Sequence, residues 1–250
     1  MRILKYGNSN NKKVILIHGF QMCIESLKTY IDSLKDNYCV IVPILPAHDI
    51  EQKEEFINFD ICLEEIEEYY SNKFNNDICS IIAFSMGGVF ASMLWERKKI
   101  KIDKLIMESS PLLKWNKLII KMMTKQYLRL TKAARNRNDK IINQAINSIV
   151  LKENLNSFLI LMDNMSNQSI INYLNEVGNY NLSKTIEEPN PDIYYIYGSK
   201  IQETIFKKVA KYIIKHYKNV HIECLENKGH CEDIIFHPKE KVKELLRILQ

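Results

Sequence analysis

The sequence predicts an α/β protein with a mostly parallel sheet that helices cover on both faces. Short apolar runs of strand length alternate with longer segments of helical periodicity over residues 1–110 and again over residues 189–250. Strand–helix alternation of this kind is typical of parallel sheets. Residues 111–188 instead show helical patterns and no convincing strand. We therefore expect an α/β core that is interrupted by a helical lid.

The predicted elements follow from the spacing of apolar side chains. Each predicted strand is a short apolar run, often β-branched, and each predicted helix repeats apolar residues every three or four positions. The predicted strands cover residues 2–6, 13–17, 38–45, 77–84, 102–108, 192–197 and 220–225. The predicted core helices cover residues 23–34, 59–74, 87–97, 204–217 and 238–249. The predicted lid helices cover residues 115–130, 139–150, 154–165 and 169–177.

Turn-forming residues separate several of these elements. Gly7 follows the first predicted strand, and Pro46 stops the third. Pro189 and Pro191 end the predicted lid just before the next strand begins. Because proline and glycine interrupt regular structure, these positions support the boundaries drawn from the apolar pattern.

The composition is that of an ordinary globular protein. Of the 250 residues, 46% are hydrophobic and 26% are charged. The six cysteines are scattered, without a Cys-x-x-Cys pair or the spacing of a zinc site, so no metal is expected. The sequence has no Gly-x-Gly-x-x-Gly or phosphate-loop motif, so no organic cofactor is expected. Cys39, Cys79 and Cys224 lie in predicted strands, where we expect buried free thiols. The N-terminus lacks the apolar core of a signal peptide, and we expect a cytoplasmic protein.

Positive charge is concentrated in the predicted lid. The chain carries a net charge of +5, and residues 111–152 contain ten lysines or arginines but one acidic residue, Asp139. No nucleic-acid-binding module is recognisable, so we expect no nucleic-acid partner. The simplest interpretation is a solvated helix face, and the alternative is a surface for an anionic substrate or lipid headgroups. The residues concerned are Lys114, Lys117, Lys121, Lys125 and Lys132.

The segment around Ser85 predicts a sharp turn from a strand into a helix. Such a short turn forces its central residue into strained backbone angles and points its side chain into open space. Strand and helix cross closely there, so small residues are needed on either side, and Ala83 and Gly87 supply them. The alternative is a buried strand followed by an ordinary Ser-capped helix.

A serine nucleophile needs a base within hydrogen-bonding reach, and the base needs a carboxylate to orient it. His230 follows the last predicted strand and precedes the terminal helix. Reacting groups collect beyond the carboxyl ends of parallel strands, so His230 is a candidate base, and His18, which also follows a predicted strand, is another among the six histidines.

Gly19, Ser85 and His230 fall in this order after three predicted strands, and the arrangement resembles the α/β-hydrolase superfamily. The resemblance implies that Ser85 is the nucleophile and His230 the general base. It also implies that the backbone amides of Phe20 and Met86 form the oxyanion hole. His18 and His48 occupy positions where the superfamily carries structural histidines.

The carboxylate that should orient His230 departs from the superfamily pattern. The resemblance places it three residues after Gly198, but that position is Ile201, which cannot orient an imidazolium. Glu203, two residues further on, is the first candidate. Glu108, at the end of the preceding strand, is the alternative, and a third option is that neither serves.

These residues predict a serine hydrolase of the carboxylesterase, lipase or thioesterase type, acting on a small-molecule ester or acyl substrate. Phe20 and Met22, in the loop of the expected oxyanion donor, are candidates to line an apolar acyl pocket, and packing in the core is the alternative for both. Two alternatives stay open at this point. One is an acyltransferase with the same catalytic groups, and the other is a non-catalytic ligand-binding relative.

Overall fold

The computed structural model describes residues 1–250, and seven strands form one sheet at its centre. The strands are β1 (Arg2–Tyr6), β2 (Lys12–Ile17), β3 (Tyr38–Ile44), β4 (Cys79–Phe84), β5 (Ile102–Glu108), β6 (Asp192–Gly198) and β7 (Val220–Leu225). Their order is β1-β3-β2-β4-β5-β6-β7. Only the β1–β3 pair is antiparallel, which confirms the predicted mostly parallel sheet.

Ten α-helices surround and extend this sheet. They are α1 (Lys28–Leu34), α2 (Phe59–Phe74), α3 (Met86–Arg97), α4 (Lys117–Arg135), α5 (Asp139–Ile146), α6 (Leu155–Asn164), α7 (Asn167–Asn179), α8 (Thr204–His216), α9 (Glu232–Phe236) and α10 (Pro238–Leu249). The helix expected from residue 23 starts later, because Ile24–Leu27 is a separate 3-10 turn. None of the helices combines the length and the apolar character that crossing a bilayer requires.

The central strands of the sheet are buried on both faces, as their apolar character requires. In β2, Val14 and Leu16 pack with the α1 and α10 side of the core, whereas Ile15 and Ile17 pack with the α2, α3 and α8 side. This division follows from the strand geometry, since successive side chains point to opposite faces.

The prediction that Cys224 is buried is wrong, whereas Cys39 and Cys79 are buried as expected. Cys224 lies in β7, one of the two edge strands of the sheet, and every residue of that strand is exposed or only partly buried. An apolar run therefore did not distinguish an edge strand from a central one.

Residues 111–188, which we call the insertion, lie between β5 and β6 and contain α4 to α7. Tyr173 of α7 attaches the insertion to the core. Its ring stacks on Phe56 with 3.4 Å between ring centroids, and its hydroxyl donates a hydrogen bond of 2.7 Å to the carbonyl of Pro46. Because Pro46 follows β3, this contact places α7 near the carboxyl edge of the sheet.

Candidate active site

Ser85 occupies the turn between β4 and α3 in a strained backbone conformation, with φ of 52° and ψ of −117°. Positive φ is uncommon for a residue with a side chain and persists only where the surroundings enforce it. Two hydrogen bonds do so here. The Ser85 N–H donates to the Glu108 carbonyl at 2.8 Å, and the Ser85 carbonyl accepts from the Gly88 N–H at 3.0 Å.

Gly87 allows α3 to cross β2 at close range. A Cβ atom at this position would lie 2.6 Å from the carbonyl oxygen of His18 and 2.8 Å from that of Ile17. Both are backbone atoms, so a side chain at residue 87 would force the strand and the helix apart. The small residue that the sequence places after Ser85 is thus a steric requirement of the turn.

The loop between β7 and α9 brings His230 to Ser85. Nε2 of His230 lies 2.8 Å from Oγ of Ser85, a hydrogen-bonding distance across 145 positions of sequence. The His230 ring also stacks on Phe206 of α8, with centroids 5.3 Å apart. One face of the imidazole is therefore supported, while 44% of the side chain remains exposed.

Glu203 lies behind His230, on the side away from Ser85. Its Oε1 is 3.5 Å from Nδ1 of His230, and its Oε2 accepts a hydrogen bond of 2.9 Å from the Ser109 hydroxyl. The first distance is longer than an ordinary hydrogen bond, and catalytic contacts are often loose before substrate binds. Glu203 is buried, whereas Ile201 is 89% exposed.

A 3-10 turn over Ile201–Glu203 explains this difference between positions 201 and 203. The turn lengthens the loop after β6, so that the third residue past Gly198 faces solvent and the fifth faces His230. Counting three residues from Gly198 selects Ile201, but with this turn in the loop the carboxylate that faces His230 is two residues later, at Glu203.

Glu108 contacts a different part of the core. Its Oε2 lies 2.7 Å from Nζ of Lys241 on α10, and both side chains are almost fully buried. Lys241 also contacts Glu244 at 2.9 Å. Burial raises the pKa of Glu108, and the ammonium of Lys241 opposes that rise. The structure therefore brings Glu203 to His230 and pairs Glu108 with Lys241.

The electrostatic environment of His230 favours its charged form. Burial lowers the pKa of the imidazole, but the neighbouring Cys231 sulfur and the Glu203 carboxylate raise it, and the net shift is upward. Burial raises the pKa of the Cys231 thiol. Because that thiol is neutral at neutral pH, Glu203 is the neighbour whose charge stabilises the imidazolium there.

The backbone N–H groups of Phe20 and Met86 donate no hydrogen bond within the chain. Met86 directly follows Ser85 and is the first residue of α3, where a helix leaves its N–H groups unpaired. Phe20 lies in the loop after β2. These two unpaired donors, one in the loop after β2 and one at the start of α3, are available to an anionic oxygen.

Two buried histidines hold the loops around this site. His18 contacts the Gly19 carbonyl through Nδ1 at 2.9 Å and accepts from the Leu45 N–H through Nε2 at 3.1 Å. Burial lowers the pKa of His18 to about 4, and burial together with His18 lowers the pKa of His48 well below its ordinary value. Both imidazoles are therefore uncharged at neutral pH, and their hydrogen bonds join separate backbone segments.

Gln21 ties the loop that carries Phe20 to the insertion. It adopts a left-handed φ of 58°, and its backbone N–H donates to Nε2 of His48 at 3.0 Å. Its side-chain amide donates at 2.8 Å to the hydroxyl of Thr131, a buried residue of α4. The position of the Phe20 N–H is thereby connected to α4.

A cavity of about 710 Å³ opens beside Ser85 and His230. Phe20 and Met22 line it, as the sequence predicts, and α4 and α5 contribute side chains that sequence reasoning missed. Ser109 was missed as well, since nothing in its local pattern marks a partner for Glu203. The lining residues from the insertion are Tyr127, Ile146, Asn147, Ser148 and Ile149. No group of three or more His, Cys, Asp or Glu side chains is arranged to hold a metal ion.

Comparison of the sequence with protein-family models and with curated proteins finds no match. Solved structures, in contrast, match over the full length. A Desulfitobacterium hafniense protein assigned to the α/β-hydrolase family has a TM-score of 0.78 at 18% identity, covering 100% of both chains. A carboxylesterase structure from Nitrososphaera gargenis has a TM-score of 0.74 at 17% identity, covering 99% of this chain and 93% of that chain. A thermophilic esterase from Thermogutta terrifontis has a TM-score of 0.71 at 13% identity, covering 99% and 92%.

Identities this low establish a shared fold and leave activity to be argued from the site. In this chain the fold consists of a mostly parallel seven-stranded sheet with an antiparallel first strand, and helices on both of its faces. The similarity spans the core and the insertion together, since nearly the whole chain aligns. The chain therefore has the α/β-hydrolase fold.

Proposed function

We propose that the protein is a serine hydrolase that cleaves a carboxylic ester or thioester through an acyl-enzyme on Ser85. The observation that carries this proposal is the 2.8 Å contact between Ser85 Oγ and His230 Nε2, with the buried Glu203 carboxylate behind the imidazole. A nucleophile, a base and an orienting acid in this sequence of contacts are what acyl transfer requires.

In the proposed reaction His230 accepts the Ser85 hydroxyl proton as Oγ attacks the acyl carbon. The resulting oxyanion is bound by the N–H groups of Phe20 and Met86, and each such donor typically contributes about two to three powers of ten in rate. His230 then protonates the departing alcohol or thiol. In the second half, His230 takes a proton from water as the water oxygen attacks the acyl carbon. His230 then returns that proton to Ser85 Oγ as the bond between Oγ and the acyl carbon breaks, which releases the acid and free Ser85.

The insertion serves as the lid of this site and selects the acyl group. Tyr127 and Ile149 from the insertion share the cavity with Phe20 and Met22, so an apolar acyl chain would contact both parts of the molecule. A small-molecule ester fits a cavity of about 710 Å³. The esterases among the structural matches support this substrate class by analogy of fold.

Acyl transfer to an alcohol or thiol would use the same residues, with the acceptor in place of water. The two reactions are separated by adding candidate alcohols and thiols during ester turnover. A new ester or thioester product identifies a transferase, whereas unchanged release of free acid identifies a hydrolase.

A fluorophosphonate probe, which reacts with activated serines, tests the proposal directly. We expect the wild-type protein to be labelled and the Ser85→Ala variant to remain unlabelled. Ser148→Ala is the matched control, because Ser148 lies in the same cavity but does not contact His230, and we expect it to label normally. If folded wild-type protein is not labelled, the proposal is wrong and the non-catalytic ligand-binding alternative is favoured.

A further inference from the structure

The solvent side of α4 combines exposed apolar side chains with a row of lysines. Leu118 is 73% exposed and Met122 is 57% exposed, and these two large apolar side chains lie one helical turn apart. Helical spacing places Lys117, Lys121 and Lys125 in a row next to this pair. We call these five residues the α4 face.

The positive charge of the α4 face is not neutralised within the protein. None of its three lysines forms an ion pair with a carboxylate. The helix itself contains no acidic residue. Lysines near the start of a helix also oppose the helix dipole, so their arrangement does not favour the stability of α4. An anionic partner outside the chain would compensate this charge.

A groove of about 670 Å³ runs between α4 and α7 beside the lysines. The three lysines form one wall, and Asn175 and Asn179 of α7 contribute to the other. Ammonium and amide groups are both hydrogen-bond donors to phosphate and carboxylate oxygens. Three apolar side chains also line the groove and could contact the glycerol and upper acyl carbons of a lipid. They are Ile120, Leu128 and Ile171.

We propose that the α4 face docks onto an anionic phospholipid bilayer. Lysines attract the negative surface, while Leu118 and Met122 enter the boundary between headgroups and acyl chains, which is the usual division of roles in helices that lie on membranes. A nucleic acid would match the charge but would leave the two apolar side chains without an apolar partner. The pairing of the two properties on one face therefore favours a bilayer.

Vesicle sedimentation tests this proposal without any need for turnover, so its outcome is independent of the proposed hydrolase activity. We expect binding to vesicles of phosphatidylcholine with phosphatidylserine, and little binding to phosphatidylcholine alone. Each lysine near an anionic surface contributes roughly a fivefold change in affinity. We therefore expect binding to be about a hundredfold weaker in a triple variant that combines Lys117→Gln, Lys121→Gln and Lys125→Gln.

Two further variants make the test specific to the α4 face. The charge control is a triple variant that combines Lys207→Gln, Lys208→Gln and Lys211→Gln on the exposed side of α8. It loses the same charge as the α4 variant, and we expect its binding to be nearly unchanged. Leu118→Ser with Met122→Ser should weaken binding while leaving its salt dependence intact. The proposal is overturned if wild-type protein binds neither vesicle, if both vesicles bind it equally, or if the α8 variant is weakened as much as the α4 variant.

Discussion

The hydroxyl of Ser109 donates a hydrogen bond of 2.9 Å to Oε2 of Glu203, and the other carboxylate oxygen faces His230. Ser109 follows β5 and is fully buried, with a left-handed φ of 48°. Its backbone N–H donates to the Ile196 carbonyl at 2.9 Å, which fixes its position against β6. Ser109 therefore holds the carboxylate that orients the proposed general base.

Replacing Ser109 by alanine should lower kcat by about tenfold with little change in KM, because a hydrogen bond to a charged group is lost at a positioning residue. Rates of ester hydrolysis over a range of substrate concentrations measure both constants. Ser110→Ala is the matched control, since the Ser110 hydroxyl bonds the Glu108 carbonyl at 3.4 Å and not Glu203. Equal losses in the two variants would show that Ser109 acts only through packing.

Glu203→Gln should lower the plateau rate by about a thousandfold or more, as expected when an orienting carboxylate is removed. The carboxylate raises the pKa of His230. Its loss should lower that pKa, so the imidazole becomes neutral, and hence able to accept a proton, at a lower pH. The acidic limb of the kcat/KM profile should accordingly move to lower pH. A pH–rate profile that keeps its wild-type shape and height would contradict the role proposed for Glu203.

Glu108→Gln should affect stability rather than rate. Removing one partner of a buried ion pair typically costs about 3–5 kcal/mol, because the remaining charge loses its compensation. Lys241 would retain only Glu244. We expect urea unfolding to shift by about this amount while kcat stays within a few-fold of wild type. A large loss of kcat in a folded variant would return Glu108 to consideration as the catalytic acid.

Gly87→Ala should destabilise the protein by about 3 kcal/mol or prevent folding, since a new Cβ would overlap two backbone carbonyls. Gly19→Ala is the matched control, because its nearest contact would be 3.4 Å, an ordinary van der Waals distance. Thermal or urea unfolding of the two variants gives the comparison. Similar stability of both would argue against the close crossing of α3 and β2.

Stability should fall as the pH is lowered from about 6.5 toward 4. His18 has an ordinary pKa of 6.5 when unfolded and a pKa of about 4 when folded, so the unfolded state binds the proton first. The full contribution, about 3 kcal/mol, is present above pH 6.5 and is lost as the pH approaches the folded-state value. Urea unfolding at several pH values measures the slope. His18→Asn, which cannot titrate, should reduce that slope, and an unchanged slope would rule out His18 as its source.

Sequence patterns predicted the features of the site that depend on neighbouring residues in the chain. The apolar run before Ser85, with Ala83 and Gly87 around it, indicated the strained turn because sterics act over a few residues. His230 was preferred because its place between the last strand and the terminal helix resembles that of the superfamily's base, since His18 also follows a strand. Glu203 was the first candidate for the acid, but its selection over Glu108 depends on a 3-10 turn and on Lys241, neither of which is visible in the residues next to it.

The features that the sequence did not predict depend on contacts between distant segments. Ser109 approaches Glu203 across 94 positions, and Tyr127 reaches the cavity only through the packing of α4. The error at Cys224 has the same origin, since the position of β7 at the sheet edge is a property of topology. Apolar patterning reports which residues are buried in an element, but not which neighbours the element will have.

The Gln21–Thr131 hydrogen bond connects α4 to the loop that carries Phe20. The same helix that carries the proposed bilayer contact on its outer side holds the Phe20 loop on its inner side. Energetic coupling between two binding events is reciprocal. The factor by which vesicles alter the affinity of an inhibitor at Ser85 must therefore equal the factor by which that inhibitor alters adsorption to vesicles, and Thr131→Val should bring both factors closer to one.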